Sequence, residues 1–255
     1  MTPKRMSIYL TGDTHGDIER FRDHKGFNKD DTVIVLGDFG VIWHKLENVY
    51  GYVITERPKI EELDRYGCTF CFIDGNHENF DRLAALPDVP LFGGIAGQAG
   101  EHVFHLRRGQ VYEIEGKSFF CMGGAMSIDK EWRTEGESWW PGENITTDDM
   151  RRGVEALEKR GNKVDYVLTH TPPEHVLRKL LDVGSGHAKL KDPNARLLDQ
   201  FYETVKFKKW FFGHMHIDAV VVGESKFVGL FRQIIRLGNA RELKNMLHIR
   251  KMSFY

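Results

Sequence analysis

The chain has 255 residues, 36 basic against 37 acidic, for a formal charge of -1. That balance gives no net field for holding nucleic acid or an anionic membrane nonspecifically, so any charged substrate must be recognised locally. Hydrophobic residues at 41% and charged residues at 29% exclude disorder as the main state. No run of eighteen apolar residues occurs, and the first ten residues are too short and too charged for a signal peptide. The expectation is a cytoplasmic protein with no membrane partner, folded as a single domain over 1–255.

The pattern opens with an apolar run, Met6 to Thr11, broken by Gly12-Asp13-Thr14-His15-Gly16 and followed by a charged helical stretch to about Lys25. Strand, loop and helix then recur. Thr32 to Leu36 runs into Gly37-Asp38-Phe39-Gly40, Lys59 to Tyr66 reads as a helix, and Cys68 to Ile73 runs into Asp74-Gly75-Asn76-His77-Glu78 before a helix ending near Leu86. Such alternation predicts an α/β fold with polar loops gathered at the carboxyl ends of parallel strands. Gly94, Gly97 and Gly100 read as a flexible loop without the lysine of a phosphate loop. His102 to Leu106, Gln110 to Glu115 and Ser118 to Met122 read as an antiparallel meander, with His102 and His105 as strand surface residues.

After an irregular stretch from Ala125 to Asn144, Thr146-Thr147-Asp148 reads as a helix cap opening a helix to about Arg160. The strand Val164 to Leu168 ends at Thr169-His170-Thr171-Pro172-Pro173, and helices follow near Glu174 to Leu181 and Asn194 to Val205. Trp210-Phe211-Phe212 leads into Gly213-His214-Met215-His216, and strands at Ala219 to Val222, Phe227 to Leu230 and Gln233 to Leu237 finish the pattern. The basic residues Arg232, Arg236, Arg241, Lys244, Arg250 and Lys251 read as a solvated face. His24, His44, His175, His187 and His248 have no partner visible in sequence. Three cysteines do not form a disulfide framework. Cys68 and Cys71, three apart on a strand, point to opposite faces and read as buried small hydrophobes.

Five strand ends carry Asp13 and His15, Asp38, Asn76 and His77, His170, and His214 and His216. One Asp-x-His is an ordinary turn; five polar sets at matching positions are not. Their donors are carboxylate, amide and imidazole, with no thiolate, a mixture that suits manganese, iron, zinc or cobalt.

In this order, Asp13-Thr14-His15, Gly37-Asp38, Gly75-Asn76-His77-Glu78, a lone His170 and Gly213-His214-Met215-His216 resemble the motifs of the calcineurin-like metallophosphoesterases. The resemblance implies an α/β sandwich of two mixed β-sheets flanked by helices. It also implies two divalent transition-metal ions, manganese first, with iron, zinc, cobalt and nickel as alternatives. Asp13, His15, Asp38 and His216 would hold one ion; Asp38, Asn76, His170 and His214 would hold the other. Between them, a hydroxide activated by both metals would attack a phosphoester. His77 would be the general acid for the leaving oxygen, with Glu78 the adjacent carboxylate of the catalytic block. Asp17, Asp74 or Glu78 could orient His77.

The protein serine/threonine phosphatases of the family carry G-D-x-x-D-R-G and R-G-N-H-E, whose arginines grip phosphate. This chain has Val41-Ile42 and Asp74 instead, which favours a phosphodiesterase-type activity over a protein or small-molecule phosphatase. A noncatalytic scaffold is the reading from another class, and it is disfavoured because every ligand position is kept. The segment Ser127 to Glu143 holds three of the five tryptophans. It reads as an insertion beside the site, around 125–144, where Arg133 could replace the missing clamp and Trp139 and Trp140 could stack a base of a nucleotide or nucleic acid. The alternative is an aromatic cluster that pins a long loop.

Overall fold

The computed structural model describes residues 6–24, 26–43, 56–181, 191–221, 226–239, 243 and 246–249. His44, His187, Arg241, Lys244, Arg250 and Lys251 lie outside them, as does the side chain of His248.

Two mixed sheets form the architecture. The first contains β1 (Ile8–Thr11), β2 (Thr32–Leu36), β3 (Thr69–Ile73), β4 (Asp88–Leu91), β5 (Gly94–Gln98), β6 (Val103–Leu106) and β13 (Ile235–Arg236), in the order β13-β1-β2-β3-β6-β5-β4. The second contains β7 (Gln110–Ile114), β8 (Lys117–Met122), β9 (Tyr166–Thr169), β10 (Lys209–Phe212), β11 (Ala219–Val221), β12 (Phe227–Gly229) and β14 (Leu247–Ile249), in the order β14-β11-β12-β10-β9-β8-β7. The centre of each sheet is parallel: β1-β2-β3-β6 in one, β8-β9-β10-β12 in the other.

Alternation along the strands explains why they read as unbroken apolar runs. Ile8, Leu10, Ile34, Leu36, Cys71 and Ile73 point into the core between the sheets, where they meet Phe119, Cys121, Leu168, Phe211 and Val228. Tyr9, Val33, Val35, Phe70 and Phe72 point the other way. There they pack with Phe21 of α1 (Glu19–Asp23), Ile60 and Leu63 of α2 (Glu56–Asp64) and Leu83 of α3 (Phe80–Ala84). On the far side, Phe120, Val167, Trp210 and Phe212 pack with Leu157 of α4 (Thr147–Glu158), Val176 and Leu180 of α5 (Glu174–Leu181), and Leu198 and Phe201 of α6 (Pro193–Thr204). Each fully buried aliphatic or aromatic side chain contributes about 1.5–3 kcal/mol, and a one-residue register slip would turn every one to the wrong face. The expected cap is present: the Thr146 hydroxyl accepts from the Asp149 backbone N–H, and Asp149 returns the bond.

Three expectations are corrected. Val103–Leu106 is not part of a meander with the next two strands: it pairs with β3 and β5 in the first sheet, while β7 and β8 form a hairpin in the second. The three residues Arg107 to Gly109 carry the chain from one sheet to the other. Gly94 to Gln98 is a strand rather than a flexible loop, and Tyr112 packs so closely on Gly94 that a Cβ there would lie 2.8 Å from its ring. His105 is buried rather than on a strand surface.

Cys68 and Cys71 face different cores, as alternation requires, and Cys121 is buried with them as a free thiol. Burial pushes the Cys68 thiol up to about 12 and raises the Cys71 and Cys121 thiols well above their ordinary value. Iodoacetamide at pH 8 should therefore leave the native protein unlabelled, whereas the urea-unfolded chain should take up one equivalent per cysteine. Rapid native labelling at Cys68 or Cys71 would contradict their reading as inert buried thiols.

Candidate functional site

Parallel register brings the functional loops to one edge. Thr11 pairs with Val35, Leu36 with Ile73, and Met122, Thr169 and Phe212 lie level across the second sheet. The loops that leave these residues therefore start side by side. Their backbones are unusual: His15, Asp38, His214 and His216 all have positive φ, between 47° and 60°. Such conformations cost about 1–3 kcal/mol each and persist where the surroundings over-determine them. The motif glycines have a steric reason. A Cβ on Gly75 would sit 2.1 Å from Asp38 Oδ1, and one on Gly37 would sit 2.2 Å from His170 Nδ1.

Two groups of donor atoms converge. In the first, His15 Nε2 lies 3.1 Å from His216 Nε2 and 3.8 Å from Asp38 Oδ2, while His216 Nε2 is 3.9 Å from Asp13 Oδ2. In the second, His170 Nε2 lies 3.4 Å from Asp38 Oδ2 and 3.2 Å from Asn76 Oδ1, with the His214 ring centroid 5.0 Å from that of His170. Asp38 belongs to both. The carboxylates are held by backbone: His77 N–H donates to Asp38 Oδ1 at 2.7 Å and His214 N–H donates to Asp13 Oδ1 at 3.0 Å. The Leu36 carbonyl can only accept, so His170 Nδ1 donates to it at 2.7 Å and Nε2 is the nitrogen presented to the cluster.

Buried negative charge at such a place requires a cation. Burial pushes the Asp13 carboxyl up to about 7, with Asp38 adding to the rise and His170 opposing it. Burial also works against charge on Asp38, but the His170 imidazole beside it prevails and holds the carboxyl below its usual range. Burial opposes the imidazolium of His170, yet the Asp38 carboxylate outweighs it and raises the ring to about 10. Burial, with His170 second, drives His214 down to about 3. These shifts leave His214 a neutral imidazole, as a metal ligand must be, while the proton on His170 carries a positive charge that a bound cation would replace.

The donor set fits divalent ions. Asp13 Oδ2 is buried and has no hydrogen-bond partner, an orphan that a cation would satisfy. Oxygens of Asp13 and Asp38 and a nitrogen of His170 all lie within 4.8 Å of one another, and the cysteines are elsewhere in the core.

The sequence profile of the calcineurin-like phosphoesterases matches residues 6–218, which include every loop just described. The chain belongs to this family. No curated protein matches it. Members of the calcineurin-like phosphoesterase family are hydrolases acting on phosphoester bonds through a dinuclear divalent metal centre, and the two mixed sheets with flanking helices agree with that fold. No helix among the described residues is long and apolar enough to cross a membrane.

In this phosphoesterase a cleft of about 310 Å³ opens over the donor atoms, lined by Asp38, Asn76, His77, His214 and His216 and walled by Met126, Ile128, Asp129 and Met215. His77 faces it, with its ring centroid 5.4 Å from that of His15. Glu78 does not line it: fully buried, its carboxylate accepts from the N–H groups of Phe39 and Gly40 at 2.7 and 3.2 Å, so it shapes the Asp38 loop. None of the three carboxylates considered as partners of His77 lines the cleft. Asp17 Oδ1 accepts from Glu19 N–H at the start of α1, and buried Asp74 is bound by Arg108 and His105. Asp129, which no motif marks, shares the cleft with His77 and Asp38.

The 125–144 segment differs from its sequence reading. Trp140 is buried, donates its indole N–H to Asp81 and meets Trp43 edge-on, so it pins the loop as the alternative held. Trp139 lies under Lys130 and outside the cleft lining, and Arg133 spends its guanidinium on Asp129 Oδ2 at 2.7 Å and the Ser138 carbonyl at 3.0 Å. The fully displayed tryptophan is Trp132, 90% exposed.

Proposed function

We propose that this chain is a phosphodiesterase-type hydrolase, with Asp13, His15, Asp38 and His216 holding one divalent ion and Asp38, Asn76, His170 and His214 the other, manganese first among the candidates. The observation that carries the reading is the convergence of Asp13, Asp38 and His170 directly beneath the cleft. Divalent ions in that position supply a water of lowered pKa and offset charge on the phosphate oxygens. His77, at the cleft wall, donates the proton that the leaving oxygen needs. The 125–144 segment acts as an insertion that forms one wall.

Diester preference rests on the lining. Among the described residues the cleft has no arginine or lysine, and it presents the carboxylate of Asp129, which its bond to Arg133 holds below the usual carboxylate range. A monoester dianion would meet that negative group without a compensating clamp. A diester monoanion carries one charge less, and its second organic group can rest on Met126, Ile128 and Met215. Each charge-assisted contact that a dianion lacks is worth about 1.5–3 kcal/mol, or roughly ten- to hundredfold in rate. With added Mn²⁺, kcat/KM should accordingly favour bis-p-nitrophenyl phosphate over p-nitrophenyl phosphate by at least about tenfold. A preference for the monoester would establish the phosphatase reading instead.

A further inference from the structure

We propose that Ser127 and Glu143, from the two ends of the 125–144 segment, are positioning residues that fix the amide of Asn76 so that its oxygen, and not its nitrogen, faces the metal ligands. This rests on the ligand role proposed for Asn76 above.

An asparagine amide has two ends of nearly equal size, and only one can bind a cation. Rotating it by half a turn would replace the ligand oxygen with an NH₂ group that repels the ion. Something must therefore decide the rotation, and a chain of three buried groups does so. Asn76 Nδ2 lies 3.1 Å from Ser127 Oγ, while Asn76 Oδ1 lies 3.2 Å from His170 Nε2. Ser127 Oγ lies 2.5 Å from Glu143 Oε2, and the Ser127 backbone N–H donates to Glu143 Oε1 at 3.1 Å. Both carboxylate oxygens thus face donors of Ser127. A serine hydroxyl has one proton, and Glu143 takes it. What remains toward Asn76 is lone pairs, which accept from NH₂ and repel a carbonyl oxygen. The direction of the chain, from amide to hydroxyl to carboxylate, leaves one orientation. Asn76, Ser127 and Glu143 are 5%, 2% and 0% exposed, so water cannot substitute for any link.

The frame around the chain is rigid. Arg108 donates to the carbonyls of Gly142, Glu143 and Asn144 at 3.0, 3.2 and 2.7 Å while gripping Asp74, two residues before Asn76. The insertion is therefore tied to the metal-ligand loop at both of its ends. It is part of the centre as well as a wall over it.

The test is manganese binding, measured by chelator competition and by electron paramagnetic resonance of the reconstituted protein, on wild type, Ser127→Ala, Ser127→Thr and Glu143→Gln. Outer partners of metal ligands typically contribute about 10- to 100-fold in affinity. Ser127→Ala should weaken one of the two ions by that factor, leave the other at wild-type affinity and change the coupling signal of the pair. Ser127→Thr, which keeps the hydroxyl, should restore both. Glu143→Gln, whose amide can donate to Ser127 and free the hydroxyl proton for Asn76, should weaken the same ion. Wild-type affinity for both ions in Ser127→Ala and Glu143→Gln would overturn the proposal, and so would equal loss of both ions in step with a lowered melting temperature. If wild type itself binds no ion pair, it is the proposed function that fails rather than this inference alone.

Discussion

Removing the His77 imidazole should cost about 10²- to 10⁴-fold in kcat/KM on alkyl or nucleoside esters and much less on p-nitrophenyl esters. An alkoxide is a strong base that needs a proton as the P–O bond breaks, whereas p-nitrophenolate leaves without one. His77 is placed for this task, at the wall of the cleft and edge-on to His15. What ties His77 to Asp38 is its backbone N–H, a bond that survives in His77→Ala, so the variant should keep its metals. Measuring both substrate types alongside metal content separates the outcomes. Equal losses on the two leaving groups would place His77 in substrate positioning, and loss of metal would make it a ligand.

Arg108→Ala should destabilise the fold by about 3–5 kcal/mol, because it strands a buried carboxylate. Asp74 Oδ2 accepts from Arg108 Nε and Nη2 at 2.8 and 2.5 Å. Its other oxygen accepts from His105 Nε2 at 3.1 Å, and the tautomer is settled by Arg107, a pure donor that occupies His105 Nδ1. No charge is stranded in an Arg108→Ala, Asp74→Asn double variant, where both the guanidinium and the carboxylate are gone. Urea unfolding of the two single variants and the double should therefore show a coupling energy, with the double less damaged than the sum. A loss below about 1 kcal/mol for Arg108→Ala would mean that the pair is no more than a surface ion pair in its effect.

Legibility followed the physics of each segment. Thr32–Leu36 was readable to the residue because a strand buried on both faces is one continuous apolar run. Val103–Leu106 was visible as a strand but not as a member of the first sheet. Periodicity reports which face is buried, and a three-residue connection serves a hairpin or a crossing between sheets equally well. Gly94–Gln98 was hidden because its glycines remove the alternation, and its reason for being a strand is the Tyr112 ring across the sandwich. The ligand loops were legible because each follows a strand directly, so chain order alone placed Asp13, Asp38, Asn76, His170 and His214 at one edge. The support around them was not. Arg108 stands in an Arg-Arg-Gly turn that looks solvent-facing, and Ser127, Asp129 and Glu143 belong to a stretch without periodicity, so only the path of the chain brings them to Asn76 and His77. Tryptophan density suggested a binding surface, yet Trp140 is committed to Asp81 and Trp43.

The central claim is that one buried carboxylate, Asp38, joins two metal positions, since its Oδ2 lies within 4 Å of an imidazole Nε2 in each group, at 3.8 Å from His15 and 3.4 Å from His170. Elemental analysis of protein reconstituted with Mn²⁺ tests it most directly, on wild type and on Asp38→Ala. Two ions per chain in wild type and the loss of both, or of the pair, in Asp38→Ala is the expected result. Full double occupancy in Asp38→Ala would contradict it.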